Sequence, residues 1–447
     1  MRLTTPERRQ TLILGVLFLQ FVVLLACVAA FWFPSVFPAP SRPGTIDRAD
    51  YAWLLLLVPP LLLARRALQG RFWSHTPLDF PLLALLLLAL LSTEIAPYGT
   101  RGPLMLARPL LGVALLWFFT DAIRDLRRLD GPLWLMLALA LLVGAAALVS
   151  TQWVKSDAFT AIIERLPALD LWFAPGGFNP NEIAGAITWL APLTAGMMFY
   201  RWRGQTRWLW RGLAAVAFVM LVTALFLGQS RSGLIGLMVA LVTLAFMPGP
   251  LLRPRMAAMT LAVGTIALLE VLLVAGILNP DATRLVRAAR GAGSVEQRVT
   301  IWSASLKMVG DHPLTGVGLD RFRSPPVRAD YPIVWRNRTL NMPHAHNAVL
   351  QIATDMGIPG VLVFVWLNGT AIYMVWVTWR TGGQMARLVA VMTGTSLLAY
   401  YVYSLADAIP LWDRFAFIYW LVLGLIAGQY VLVRESTLAA NTNLSDR

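Results

Sequence analysis

The stretch PHAHNAVLQIATDMGIPGVLVFVWLNGTAIYMVWVTW, residues 343–379, decides how the chain is read. Its second part, Ile358–Trp379, is an apolar run without a charge. It is long enough for the roughly 20 residues that a membrane-spanning helix requires. Its first part, Pro343-His344-Ala345-His346-Asn347, sets two imidazoles where a long, arginine-rich loop meets that span. Asn347 is suited to cap a helix, and Gly357 with Pro359 to break it before the span begins.

The same apolar character extends outward in both directions. With 58% hydrophobic and 13% charged residues and a mean hydropathy of +0.65, the composition excludes an ordinary soluble domain. Twelve segments read as spans: Leu12–Phe33, Tyr51–Ala64, Phe80–Ile95, Leu104–Phe119, Leu133–Val149, Ile183–Tyr200, Trp208–Leu227, Leu234–Met247, Met256–Leu278, Ile358–Trp379, Leu388–Leu405 and Phe415–Val433. The second is interrupted by Pro59-Pro60. The expected fold is therefore all-α, a polytopic membrane protein of about twelve transmembrane helices.

Arginine placement orients it. If the N-terminus lies inside, the inner loops carry Arg2/Arg8/Arg9, Arg65/Arg66/Arg71, Arg124/Arg127/Arg128, Arg201/Arg203/Arg207/Arg211, Arg253/Arg255 and Arg380/Arg387. Short outer loops carry only Arg42, Arg48, Arg101, Arg231 and Arg414. The positive-inside rule then expects both termini in the cytoplasm. Residues 1–278 would hold spans one to nine and 279–345 a large, partly helical outer loop. Residues 346–434 would hold the last three spans, and 435–447 a polar, mobile tail. The first apolar run continues past Cys27 to Phe33, too long for a signal-peptide core, so an uncleaved span is expected.

The net charge of +14 collects in the inner loops, where it orients the chain and meets anionic lipid; it does not point to nucleic acid. The lone Cys27 excludes an internal disulfide and a cysteine-based metal site.

The outer loop Asn279–Ala345 is different: it holds ten basic residues against five acids. Long loops cross membranes largely regardless of charge, so orientation does not explain these arginines. Within it, Val295, Val299, Trp302, Leu306 and Val309 recur at helical spacing, predicting a short amphipathic helix over Ser294–Val309 that Asp311-His312-Pro313 ends. The rest of the loop reads as irregular structure. Gly316-x-Gly318-x-x-x-Phe322 lacks the third glycine and flanking elements of a dinucleotide loop and reads as a turn that positions the loop.

Chemistry is expected where charges converge on this side. His346, at the positive end of a helix, can remain neutral and accept a proton. Arg231, in the tight outer turn Gly228–Gly233, and Arg298, at the start of the amphipathic helix, can bind an anion there. Each has a plainer reading, as helix cap, interfacial arginine or solvated face; their shared side raises the joint reading above any one. Arg287 and Lys307 in the loop, Asn347 beside the histidine, and Asn181 and Asp407 at outer span ends are further candidates. Arg108, Glu270 and Asp355 lie within or beside spans, where any charge is a functional candidate. The outer face offers no Asp-x-Asp pair to hold Mg²⁺, so a site with no metal and no cofactor is expected.

His346-Asn347-x9-Gly357-x-x-Gly360, Arg298-Val-Thr-Ile-Trp302, the Gly316-x-Gly318 turn and the outer-turn Arg231 together resemble the O-antigen ligase family. The resemblance implies a membrane-embedded glycosyltransferase of a Gram-negative inner membrane. It would transfer polysaccharide from undecaprenyl pyrophosphate to a sugar hydroxyl of lipid A–core at the periplasmic face. His346 would be the base, Arg231 and Arg298 the pyrophosphate ligands, and the anomeric centre would invert. O-antigen polymerases and protein O-oligosaccharyltransferases share much of this pattern. A transporter of anions or lipid-linked sugars, the alternative of another class, would show inverted repeats and midplane polar residues, and neither stands out. The sequence does not name the glycan or the oligomeric state. It also leaves open whether His344 or His346 faces the cavity; the signature aligns with His346.

Overall fold

A computed structural model of the chain describes residues 6–32, 48–99, 103–153, 169–171, 174, 176–202, 204, 206–246 and 293–445. Its described elements begin with helices: α1 (Pro6–Trp32), a 3-10 helix (Arg48–Leu57) running into α2 (Val58–Gln69), α3 (Asp79–Ile95), α4 (Pro103–Leu126) and α5 (Asp130–Ser150). Next come α6 (Pro180–Met197), α7 (Arg207–Leu227) and α8 (Arg231–Phe246). After them, α9 (Gly293–Asp311), the short α10 (Pro325–Asp330) and a hairpin of β1 (Val334–Trp335) and β2 (Arg338–Thr339) lead to α11 (Ala348–Thr381), α12 (Gln384–Ser404) and α13 (Ala416–Ser445).

Eight helices among the described residues are long and apolar enough to cross a membrane. Eleven of the twelve expected segments fall on helices, α3, α6 and α8 being shorter or less apolar than those eight. The remaining one, Met256–Leu278, lies outside the described residues. Pro59 and Pro60 do not cut a span in two. They occupy the first turn of α2, where a missing N–H costs nothing because no intrahelical acceptor awaits it.

Helix α13 is the mast of the bundle, with nearly all of its apolar stretch buried. It packs along α4, while α12 is gripped by α6 and α8 and α11 closes against α3, α12 and α13. In lipid there is no hydrophobic drive between helices, so close approach through small residues has to supply the contact. The α4–α13 seam shows it: a methyl group on Gly112 would lie 2.3 Å from Trp420 Nε1, and one on Gly424 would lie 2.6 Å from Phe119 Cβ. Arg108, singled out above as a charge inside a span, is spent on structure. Its Nε and Nη2 donate to the Phe31 carbonyl at the end of α1, at 3.1 and 2.7 Å, and its Nη1 donates to the Trp412 carbonyl.

The loop region 293–347 builds a second, smaller core from Ile301, Met308, Val317, Phe322, Val327, Tyr331, Ile333 and Ala345. The expected amphipathic helix is present as α9, but it buries a different face. Ile301, Ser305 and Met308 are inside, whereas Val299 and Leu306 are about half exposed. The periodicity found the helix but the wrong stripe, because Ser305 belongs to the buried face and Val299 and Leu306 do not. The segment after it is irregular for most of its length, as expected, but within it Arg336 and Asn337, both with positive φ, turn a tight hairpin. The tail after Arg434 takes helical form. Helix α13 continues to Ser445, and Glu435 is held by Arg124 Nε at 2.6 Å and Arg127 Nη2 at 3.5 Å.

Two glycine-dependent contacts lock the loop to the bundle. Helix α11 breaks at Gly357 (φ 67, ψ −167), and the Ile358 N–H freed there donates to the Pro313 carbonyl at 2.7 Å. In return the Val317 N–H donates to the Thr354 carbonyl at 2.7 Å. The Gly316–Gly318 turn is thus a docking device, as its missing fingerprint glycine implied.

The seam makes a direct prediction. Gly112→Val drives a side chain into the Trp420 indole and should lower stability by about 1–3 kcal/mol or more. Gly369→Ala, where nothing lies within 4 Å of the added carbon, should not. Thermal melts of the two variants in detergent test the comparison, and equal melting temperatures would refute the packing account.

Candidate active site

The site is assembled from the residue pair that opens α11 and the loop that follows α12. His346 has φ 49, a left-handed conformation that is uncommon for a side-chain-bearing residue and persists only when its surroundings fix it. They do so on both sides. The Ala345 N–H donates to Gln351 Oε1 at 2.8 Å, and the His346 N–H donates to His344 Nδ1 at 3.2 Å. Asn347 caps α11 by accepting the Leu350 N–H at 3.0 Å, and its amide donates to the Leu405 carbonyl at 3.1 Å. The cap reading of Asn347 is therefore the one the geometry fulfils, and the cap also ties the histidine loop to the end of α12.

Asp407 is the hub. It is 1% exposed, its Oδ1 accepts the Ala408 N–H at 2.9 Å, and the same oxygen lies 3.0 Å from His346 Nδ1. A carboxylate can only accept, so the proton between them belongs to His346 Nδ1, which leaves Nε2 with the free lone pair. His344 Nε2 lies 3.9 Å from the same oxygen, and the two imidazole rings are 4.4 Å apart. On the other side, Arg298 Nη2 stands 4.0 Å from Asp407 Oδ2. Burial alone would raise the Asp407 carboxyl, but the hydrogen bond from His346 and the charge of both imidazoles outweigh it and hold it below the usual carboxylate range. For His344, burial first and the charge of His346 second push the imidazole down to about 4.

One donor atom from each of His344, His346 and Asp407 lies within 4.8 Å of the others, a spacing that a metal ion could use. The hydrogen bonds set the rings up for another purpose. Because His344 Nδ1 accepts a backbone N–H, its own proton sits on Nε2, the atom that would have to ligate. Metal-bound histidines normally donate from the second nitrogen instead.

The remaining expected residues are distributed as follows. Arg298 joins the hub. Asn181 lies at the same end of the bundle, where its carbonyl accepts the Tyr403 hydroxyl at 2.8 Å and its N–H is held by Asn179 Oδ1. Arg231 is exposed at the start of α8, with no hydrogen bond or ion pair to the hub among the described residues. The start of that helix does abut α6, since Gly233 packs against Ala184. Lys307 is not brought in: its ammonium lies 5.8 Å from the Tyr331 ring centre, nine residues or about 13 Å along α9 from Arg298. Arg287 lies outside the described residues.

Two features escaped the sequence reading. Gln351 is buried, receives Ala345 through its oxygen and donates to Asp355 Oδ2 at 2.6 Å. Its spacing of four residues from both Asn347 and Asp355 on one apolar helix was the available signal. The Arg414–Glu182 pair at 2.7 Å joins residues far apart in the chain and left none.

A helical bundle of membrane-crossing dimensions, with a histidine–carboxylate pair and a guanidinium gathered at one end, defines a polytopic membrane protein with its polar site outside the apolar core. A sequence profile described as O-Antigen ligase matches residues 215–365, a range that contains Arg231, Arg298 and His346. The chain is also 30% identical over 345 residues to the O-antigen ligase of Pseudomonas aeruginosa, the alignment covering 74% of each protein. The chain belongs to the O-antigen ligase family.

Two outcomes follow from this geometry. Between pH about 6.5 and about 4 the unfolded chain binds a proton at His344 that the folded chain refuses. Stability should therefore fall as pH drops through that window and level off near its lower end, by on the order of 3 kcal/mol at most. Melting curves against pH should lose this slope in His344→Gln; an unchanged slope would contradict the burial of a neutral ring. Gln351→Leu leaves the Ala345 N–H without its acceptor and takes one of the hydrogen bonds from the Asp355 carboxyl, and should cost about 1–3 kcal/mol by the same melts.

Proposed function

We propose that the chain transfers a glycan from a polyprenyl pyrophosphate carrier to a sugar hydroxyl, with lipid A–core as acceptor and undecaprenyl pyrophosphate as carrier. The observation that carries this reading is the His346–Asp407 pair, which orients the imidazole through Nδ1 and leaves Nε2 basic. Family membership supports ligation as the activity.

In the proposed reaction His346 Nε2 takes the proton of the acceptor hydroxyl as the oxygen attacks the anomeric carbon. The bond from that carbon to the pyrophosphate oxygen breaks, and the electron pair leaves with the lipid pyrophosphate. Attack opposite the leaving group inverts the anomeric centre. Asp407 stabilises the imidazolium that forms, as a buried carboxylate does beside a general base. Arg298, joined by Arg231 from the start of α8, would neutralise the charge that develops on the pyrophosphate. Pyrophosphate leaves readily without a general acid, so the site needs neither a metal nor a nucleotide. Asn181 at the α6 start would border the approach of the substrates.

The same reading assigns twelve spans, both termini to the cytoplasm, and residues 279–345 to the periplasm of a Gram-negative cell. The eleven apolar segments found on helices support the count.

Purified protein given lipid-linked donor and lipid A–core tests the proposal. His346→Ala should lose about 10²–10⁴-fold in transfer rate while remaining folded. Asp407→Asn should lower the rate at saturating substrate more than it weakens donor binding. Chelator should change neither. Wild-type rates in His346→Ala would end the proposal, and a polymeric product from donor alone would reassign the acceptor to a second lipid-linked glycan.

A further inference from the structure

At the other end of the bundle lies a second charged feature that the reaction does not use. From Arg108 to Arg124 on α4 is about 24 Å, and from Ala416 to Glu435 on α13 about 28 Å, close to the roughly 30 Å thickness of a bilayer's apolar core. A cavity of about 440 Å³ opens there between the start of α3 and the ends of α4 and α13. Arg124, Arg434 and His75 form its polar wall, and Pro77, Tyr430 and Leu438 its apolar one.

The polar wall is arranged in advance. Arg124 donates through Nε to Glu435 at 2.6 Å and through Nη1 to Ser74 Oγ at 3.3 Å. Ser74 is itself pinned, its N–H and hydroxyl both donating to Asp121 Oδ1 at 2.8 and 2.7 Å. A guanidinium has five N–H donors, and Nη2 of Arg124 has no partner among the described residues. Arg434 is exposed, stands 5.9 Å from the Tyr430 ring centre and has no ion-pair partner among the described residues. Glu435, the one carboxylate in the wall, is already neutralised by Arg124 and Arg127. The wall thus carries two guanidiniums against one acid, with Arg127 adjoining that acid from outside it, beside an apolar surface.

We propose that this cavity binds the phosphate diester of an anionic membrane phospholipid, with Arg124 and Arg434 holding the phosphate oxygens and the first methylenes of the chains lying on Pro77, Tyr430 and Leu438. The lipid would bridge α4 and α13, the two helices of the central seam, from the end opposite the His346 group. Phosphate is the shared chemistry of a lipid headgroup and of the free ion; the apolar half of the wall selects the lipid.

The full-length protein, purified in detergent, can be mixed with equal amounts of phosphatidylglycerol and phosphatidylcholine and the retained lipid counted by native mass spectrometry. Phosphatidylglycerol should be retained preferentially, and Arg434→Gln should reduce that retention about fivefold, the effect of one basic residue near an anionic lipid. Arg434 makes no contact that folding requires, so this variant remains interpretable if Arg124→Gln fails to fold. Arg128→Gln, an exposed arginine at the same end but outside the cavity, should change it little. Equal retention of the two lipids would overturn the proposal, and so would an equal loss in Arg128→Gln, which would show attraction to the whole basic face. Displacement of the lipid by millimolar inorganic phosphate would overturn it in favour of the free ion.

Discussion

An apolar environment tolerates no unpaired backbone N–H or C=O, so a helix that breaks inside a membrane protein must be repaired by something else. That constraint shapes everything around Gly357. The break in α11 releases the Ile358 N–H, and the carbonyl that satisfies it belongs to Pro313, in the loop beyond α9. The Thr354 carbonyl is satisfied in turn by the Val317 N–H. Glycines are needed on both partners, because a side-chain carbon at Gly316 or Gly357 would meet a carbonyl oxygen at about 2.4–2.5 Å. The loop is therefore held as a continuation of the bundle's own hydrogen bonding. The exchange anchors the far end of α9, the helix whose first turns carry Arg298 to Asp407.

The site also shows how a buried carboxylate is kept charged. Taking an ion out of water costs several kcal/mol unless hydrogen bonds and opposite charges offset it. Asp407 has both on Oδ1, from Ala408 and His346, and a guanidinium facing Oδ2. Remove any one and the rest must carry an underpaired charge at 1% exposure. The strained backbone at His346 fits the same account. A left-handed residue is worth its strain when it aims a ring that the carboxylate needs.

Much of this was legible in the sequence, and the limits have physical causes. Apolar runs of helical length located the helices, because burial in lipid is dictated locally, residue by residue. The Gly357–Gly360 break and the Asn347 cap were readable for the same reason: both act within one turn. The buried face of α9 was not, since Val299 and Leu306 look like core residues until the partner surface is known, and the partner is a fold made by residues 317–345. Arg108 looked like a candidate for chemistry, but only tertiary structure shows that it ends α1 by binding the Phe31 carbonyl. Asp407 could be placed at the end of a span, but not beside His346, which is 61 residues away.

Burial divides the two histidines into different tasks. Both approach the same carboxylate oxygen, yet only His346 is within hydrogen-bonding distance, at 3.0 Å against 3.9 Å. His344 accepts a backbone N–H on Nδ1, and its imidazole is pushed down to about 4 by burial and by its neighbour's charge. A ring that burial keeps neutral can still help to shape the site. By remaining neutral 4.4 Å from His346, it adds bulk and a fixed acceptor without competing for the charge on Asp407. Of the two rings, His346 is the one hydrogen-bonded to the carboxylate, and that contact is what favours it as the base in the reaction proposed above.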